Sequence, residues 1–288
     1  MTLFGGLETG GTKCVCVVGE GQTIRERHVV PTTAPEETLM AVVEFFRPFA
    51  LSGLGLGSFG PVDINPKSSH FGELLSTPKL AWRGFNVVAF LKKALNVPIA
   101  LEHDVAASAL GEAVYGAGRG YDPLIYFTIG TGIGAGIIVN QKPFHGVMHA
   151  EAGHIALPRV PGDNLPSVCP FHSSCFEGLA SGPAIQHRFG DPHTLGEDHI
   201  AWTYETEYIG QALATMSLVL SPARIILGGG VMQHPGLLPR IREVCARQLN
   251  NYLSWLGDRI TSEDYIVEPG LGNDSGAIGA LILAESAK

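Results

Sequence analysis

From Leu124 to Val139 an apolar run enters a glycine-dense turn and a second apolar run leaves it. Both runs are rich in β-branched and aromatic residues, which predicts two buried strands. The turn Gly130-Thr131-Gly132-Ile133-Gly134 presents little side chain. Its N–H groups can point into one concave pocket, and Thr131 adds a hydroxyl, so the turn suits a phosphate. Leu3 to Val18 repeats the plan around Gly10-Gly11-Thr12 and adds Glu8 and Lys13. Two such units suggest two halves built alike with a nucleotide between them. The alternative is a pair of ordinary hairpins whose glycines serve only the turns.

Other patterns fill in the chain. Pro35 to Phe46 has helical spacing with Pro and two Glu in its first turn. Leu51 to Leu56 reads as a strand, and Ser58 to Asn65 as a loop that can face a ligand. Gly55-x-Gly57-x-x-Gly60 matches a dinucleotide fingerprint in letters only, since Pro61 bars the required helix. Thr77 to Arg83 is a loop. Val87 to Leu95 is a helix, Val97 to Glu102 a strand, and Ala106 to Tyr115 a helix. Asp104 stands between that strand and helix, where it is either an N-cap or a reactive carboxylate. Gly116 to Pro123 is the expected boundary between lobes of residues 1–118 and 119–288. The final helix, about 275–288, can pack back on the first lobe. A helix from about Tyr204 to Leu220 precedes the strand Arg224 to Leu227 and the turn Gly228-Gly229-Gly230. Ile241 to Leu256 and Ser275 to Ala287 close the chain as helices. Strand, glycines and helix in that order suit a nucleotide.

Composition narrows the function classes. The 288 residues carry a net charge of −8, which argues against nucleic acid as the main partner. No apolar run reaches membrane-span length and no secretory signal is visible, so a cytoplasmic setting is expected. Five cysteines fit reducing conditions better than a disulfide framework. Cys14 and Cys16 alternate on one strand face and read as core residues. Gly6-x4-Gly11-Thr12-Lys13 fails as a P-loop, because a strand follows where a helix is needed.

Cys169-x2-His172-x2-Cys175 places three soft ligands close together, and His154 upstream can be the fourth. Four protein ligands suit a structural, tetrahedral Zn²⁺. His145, His149 and His187 compete for the fourth place, and surface Cys and His without a metal is the plain alternative. Asp104, Glu151, His154 and Glu177 form a second group, suited to hydroxyl-rich ligands.

Taken together the chain resembles the ROK family of sugar kinases, within the acetate-and-sugar-kinase/actin-like superfamily. The resemblance rests on Glu8-Thr-Gly-Gly-Thr-Lys13, Gly57-Ser-Phe-Gly-Pro-Val-Asp63, Thr77-Pro-Lys79 with Trp82-Arg83-Gly84, and Asp104 to Glu112. It continues through Ile129-Gly-Thr-Gly-Ile-Gly134, Glu151-Ala-Gly-His154, Cys169 to Cys175 with Phe176-Glu177-Gly-Leu-Ala-Ser-Gly-Pro183, and Leu227-Gly-Gly-Gly-Val231. The Cys-x2-His-x2-Cys form resembles the fructokinase branch.

The resemblance implies an α/β, two-lobed, actin-like ATPase (ribonuclease-H-like) fold with a zinc-binding loop in the second lobe. It implies an ATP:D-fructose 6-phosphotransferase, with Mg²⁺ accompanying ATP, structural Zn²⁺ and a homodimer. Asp104 falls on the family's catalytic base. Gly60, Pro61, His103, Glu151, His154 and Glu177 fall at the sugar. Gly11, Thr12, Lys13, Thr131 and Gly132 fall on the phosphate turns. Pro183, Gly229, Gly230, Val231, Met232 and Gln233 fall on nucleotide-binding positions. His154, Cys169, His172 and Cys175 are the zinc ligands. The chain departs from the common family form at His103 and Ala106, where Asn is frequent. Mannose or glucose as substrate, a sugar-responsive regulator and an actin-like ATPase remain the rival readings. A regulator carries a DNA-binding region ahead of this domain, and the first strand here opens at about Leu3.

Overall fold

The computed structural model describes residues 2–262 and 264–287. By internal packing the chain divides into two compact units: Met1–Arg119 with Gly136–His149 and Gly270–Lys288, and Gly120–Ala135 with Ala150–Pro269.

The first unit begins with three strands, β1 (Phe4–Thr9), β2 (Lys13–Glu20) and β3 (Thr23–Pro31). The helix α1 (Pro35–Phe46), strand β4 (Leu54–Ser58), helix α2 (Val87–Leu95), strand β5 (Ile99–His103) and helix α3 (Asp104–Tyr115) follow. The sheet order is β3-β2-β1-β4-β5, antiparallel up to β1 and parallel from β1 to β5. One sheet face carries Leu7, Cys14, Cys16 and Leu56, packed with Leu39, Val42 and Phe46 of α1 and Leu91 of α2. The two cysteines are therefore core residues. The periodicity of α1 gives the expected helix, with Pro35 in its first turn beside Glu36 and Glu37. In α2 the Asn86 side chain accepts the Ala89 N–H at the N-cap, and Asn96 closes the helix at φ 53°.

Two strands move and one is new. The strand expected from Leu51 runs Leu54–Ser58, and the strand expected from Val97 runs Ile99–His103. The strand β3 lies outside the sequence expectations altogether. Its run Arg25-Glu26-Arg27-His28 is mostly exposed at the sheet edge, so it carries no apolar alternation to read, and charge there also discourages edge pairing. Asp104 is the first residue of α3, and His103 is the N-cap residue without a side-chain cap bond. The N-cap reading of Asp104 is therefore corrected.

The second unit contains β6 (Leu124–Ile129) and the start of β7 (Ile133–Val139). It continues through α4 (Phe176–Ala180), α5 (Gly182–Phe189), α6 (Ile200–Leu220), β9 (Arg224–Gly228), α7 (Leu237–Leu249) and β10 (Ile266–Val267). Between β7 and these helices lies the short strand β8 (Lys142–Pro143), paired with the end of β7 through a turn with Asn140 and Gln141 at positive φ. In this second sheet β6, β9 and β10 run parallel. Phe127 of β6 meets Phe176 of α4 edge-on at 6.2 Å. Tyr208, Ile209 and Leu213 of α6 are fully buried in this unit.

The expected division at residue 118 counts residues 136–149 with the second lobe, but they belong to the first unit. Gly136 explains the placement, since a Cβ there would sit 2.3 Å from the Val105 carbonyl oxygen of α3. The last helix, α8 (Ser275–Ser286), also belongs to the first unit, where Ala277 and Leu281 pack on Val17. The helix expected over Ile241 to Leu256 runs Leu237–Leu249 instead, because Asn250 and Asn251 take φ of 42° and 59°. Helix α6 starts at Ile200, ahead of the expected Tyr204, with His199 Nδ1 accepting the Ala201 N–H. Among the described residues no helix is long and apolar enough to cross a membrane.

Candidate functional site

In the first unit the chemistry gathers where β5 ends and α3 opens. Glu102 is buried, and its Oε1 accepts the His103 N–H at 2.8 Å and lies 2.9 Å from His145 Nε2. The His103 ring lies flat against His149, with centroids 4.1 Å apart and planes 10° apart. The Val62 N–H reaches His149 Nε2 at 3.3 Å, which brings the Gly60-Pro61 loop to the same cluster. That loop is held in turn by the Leu75 N–H on the Pro61 carbonyl, at 2.8 Å. His145 and His149, weighed as zinc ligands from sequence, thus serve this cluster instead.

Asp104 Oδ1 accepts the Val105 N–H at 2.8 Å and lies 3.3 Å from His103 Nε2. About a quarter of its side chain stays accessible (24%), yet desolvation pushes its pKa up to about 7 against the pull of those backbone N–H groups. His103 is driven down to about 4 by desolvation, against the opposing charge of Glu102. Glu8, on β1 before the first glycine turn, is raised to about 7 by desolvation and then by the charge of Asp104, with Lys13 opposing. Glu8 was not among the expected site residues, although an acidic residue directly before a Gly-Thr turn was a visible signal. The turn itself, with Gly11 and Thr12 exposed, is closed by the Gly10 N–H on the Lys13 carbonyl at 2.9 Å.

In the second unit the central turn is closed by the Gly130 N–H on the Gly132 carbonyl at 2.9 Å. The Gly182 N–H at the start of α5 bonds the Gly130 carbonyl at 2.8 Å, and Pro183 follows in the first turn. Gly229 has φ 97°, and a Cβ on it would lie 2.3 Å from the Ile129 carbonyl oxygen, so only glycine fits. Thr131, Gly132, Pro183 and Gly229 therefore lie on backbone segments drawn together. Gly230 leads into a single 3-10 turn, Val231–Gln233, and α7 opens only at Leu237. The helix expected after these glycines from Ile241 thus begins four residues earlier, behind the 3-10 turn.

The metal-ligand candidates also meet. His154 Nδ1 lies 3.9 Å from Cys169 Sγ and 3.7 Å from Cys175 Sγ, and His172 Nδ1 lies 3.5 Å from Cys169 Sγ. One donor atom from each of the four falls within 4.8 Å of the others. Two sulfurs and two imidazole nitrogens at that spacing fit a tetrahedral Zn²⁺. His187 is not in the group. Glu177, at the start of α4, accepts the Ile133 N–H through Oε2 at 2.9 Å. Its Oε1 lies 3.9 Å from His154 Nε2. Exposed Glu151 precedes the 3-10 turn that carries His154, and its carbonyl accepts the His154 N–H at 2.9 Å. Behind this loop Asp163 takes bonds from Arg188 and Tyr208, a buried knot that sequence patterning did not reveal.

The ROK family model matches residues 4–287. A Bacillus subtilis (strain 168) protein is 45% identical over 289 residues, covering 99% of this chain and 96% of its own. A fructokinase of Pediococcus pentosaceus is 42% identical over 287 residues, covering 99% of this chain and 98% of its own. Among solved structures, a ROK family glucokinase from Streptomyces griseus, in complex with glucose and AMPPNP, has a TM-score of 0.77. It is 27% identical, and the match covers 99% of this chain and 100% of that one. Two α/β sheets of the actin-like ATPase type, two Gly-Thr turns and a match running almost from end to end agree: the chain belongs to the ROK family.

Proposed function

We propose that this protein is an ATP-dependent fructokinase, transferring the γ-phosphoryl group of ATP to the 6-hydroxyl of D-fructose. The observation that carries the substrate is the relative similarity, 42% to a fructokinase against 27% to a glucokinase. Asp104 accepts the proton of the 6-hydroxyl as that oxygen bonds to the γ-phosphorus and the bond to the ADP oxygen breaks. A base whose pKa lies near 7 is matched to that task at neutral pH. Gly60, Pro61, His103, Glu151, His154 and Glu177 position the sugar. Gly11, Thr12, Lys13, Thr131 and Gly132 serve the phosphates, and Pro183 with Gly229 to Gln233 serves the rest of the nucleotide. Positioning and electrostatics then supply most of the rate. Mg²⁺ accompanying ATP neutralises phosphate charge. His154, Cys169, His172 and Cys175 hold a structural Zn²⁺ that replaces the core this loop lacks.

A coupled assay with ATP against fructose, mannose, glucose and N-acetyl hexosamines tests the reading. Fructose is expected to give the highest kcat/KM. A higher value for glucose or mannose overturns the fructose assignment, and phosphate release without any sugar overturns the kinase.

A further inference from the structure

His103 and Asp104 are neighbours at a strand-to-helix junction, and their side chains converge, with Nε2 of the imidazole 3.3 Å from Oδ1 of the carboxyl. The imidazole is clamped. One face lies on His149, whose own position is set by the Val62 N–H at its Nε2. Its backbone N–H is taken by Glu102 Oε1, the same oxygen that holds His145. The His103 side chain is 8% exposed.

The ring's proton can be placed by elimination. Burial keeps His103 neutral at pH 7, so it carries one ring proton. His103 Nδ1 is buried without a hydrogen-bond partner. A proton on Nδ1 would leave a buried donor unpaired and would turn the Nε2 lone pair toward carboxylate lone pairs. A proton on Nε2 avoids both. On the Asp104 side, Oδ1 already accepts the Val105 N–H, so a second donor at Oδ1 leaves Oδ2 for chemistry.

We infer that His103 is a positioning residue for the general base: its Nε2–H fixes the Asp104 carboxylate through Oδ1 and leaves Oδ2 to take the sugar proton. This rests on the fructokinase reading and adds a role that a sugar contact alone does not require. At 3.3 Å the two atoms are in ion-pair reach, and the contact closes to a hydrogen bond in the complex with substrate, where catalytic contacts commonly tighten. Within the first unit, the charged and titratable groups around the pair are Glu8 on β1 with Lys13, Arg27 and Asp274 facing it, Glu102 on β5, and His145 and His149 after β8. All of them stay in place in the variants below.

His103→Gln puts an amide N–H close to the Nε2 position, whereas His103→Asn reaches only the Nδ1 position. Both variants give up the imidazole's contact with the sugar, so the readout is the difference between them with fructose and ATP. The kcat of His103→Asn is expected to lie about 10- to 100-fold below that of His103→Gln, the equivalent of one hydrogen bond to a charged group, while the two share a similar fructose KM. Removing a donor from the carboxylate also moves the acid limb of kcat/KM to higher pH in His103→Asn alone. Equal behaviour of the two variants, an unmoved acid limb, or a defect confined to fructose KM overturns the inference. The tautomer is read on wild-type protein labelled with ¹⁵N-histidine, so neither variant has to fold. His103, assigned through its contacts with the His149 ring, should show Nε2–H, and an Nδ1–H signal overturns the inference. Wild-type protein that fails to phosphorylate fructose overturns the fructokinase reading instead, and the tautomer then decides the inference by itself.

Discussion

His154 Nε2 lies 3.9 Å from Glu177 Oε1, so each nitrogen of the ring has its own neighbours. Its Nδ1 faces the Cys169 and Cys175 sulfurs, so the nitrogen turned to Glu177 is the one left for other partners. A carboxylate behind a metal-bound imidazole orients the ring and raises its basicity. We expect one Zn²⁺ per chain by elemental analysis. Cys175→Ser protein treated with chelator should lose it, and residues 169–177 should then become protease-sensitive. Glu177→Gln should weaken zinc binding by about 10- to 100-fold in a chelator competition. Unchanged zinc content in Cys175→Ser would sink the assignment of the four ligands.

Much of this arrangement was legible in the chain itself. Helices α1 and α2 run as their apolar spacing indicates, because caps and periodicity are local. The metal-ligand candidates were legible for the same reason: three of the four lie within one short loop, and His154, named upstream of it, stands with them in the structure. What could not be read depends on long-range pairing. His145 looks like a loose ligand in sequence, and only the fold sets it against Glu102, 43 residues away. Glu8 looks like part of a turn, and only the fold brings it within electrostatic reach of Asp104. Strand β3 was missed because an edge strand can remain polar along most of its length.

The bond between His145 and Glu102 makes a pH-dependent contribution to stability. The Glu102 hydrogen bond raises the His145 pKa above its ordinary 6.5. Stabilisation from such a raised group is fully present below about pH 6.5 and fades as pH rises through the folded-state value. His145→Gln keeps a donor for Glu102 but cannot become charged. Urea unfolding should therefore show a deficit for His145→Gln at pH 6 that shrinks by pH 9. A deficit that grows with pH would mean the histidine is held neutral.

Glu112, fully buried near the end of α3, gathers the turn that leads into α8. Its carboxylate accepts the Ala117, Gly270 and Leu271 N–H groups and the Ser275 hydroxyl, all within 2.6–2.9 Å. Removing it takes an acceptor away from three backbone donors and a hydroxyl in this half-buried turn. We expect Glu112→Ala to cost about 3–5 kcal/mol in denaturant unfolding, on the scale of breaking a buried charged network. Glu112→Gln should cost less, because one acceptor oxygen remains. A loss below about 0.5 kcal/mol for Glu112→Ala, the range of ordinary surface changes, would show that water replaces the carboxylate without penalty.

Asp104 is the position where activity and stability should part. It opens α3 without being its cap residue, and Asn can keep the Oδ1 bond to the Val105 N–H. Asp104→Asn should therefore fold normally while losing the proton acceptor, which typically costs about 10²–10⁴ in rate. The pH profile follows from the same carboxyl. With its pKa near 7, kcat/KM should fall as pH drops below 7, because the base becomes protonated. Stability runs the other way. A carboxyl raised from 3.8 to about 7 binds its proton more tightly when folded, so ionising it costs stability progressively between those values. Asp104→Asn has no charge to desolvate. It should melt above wild type at pH 8, and the gap should close toward pH 4. Kinetics at several pH values beside melting curves check all three statements. A kcat within a few-fold of wild type would make Asp104 structural and remove the base from the mechanism. A variant that melts below wild type at pH 8 would instead show that the carboxylate is stabilised by partners in the fold.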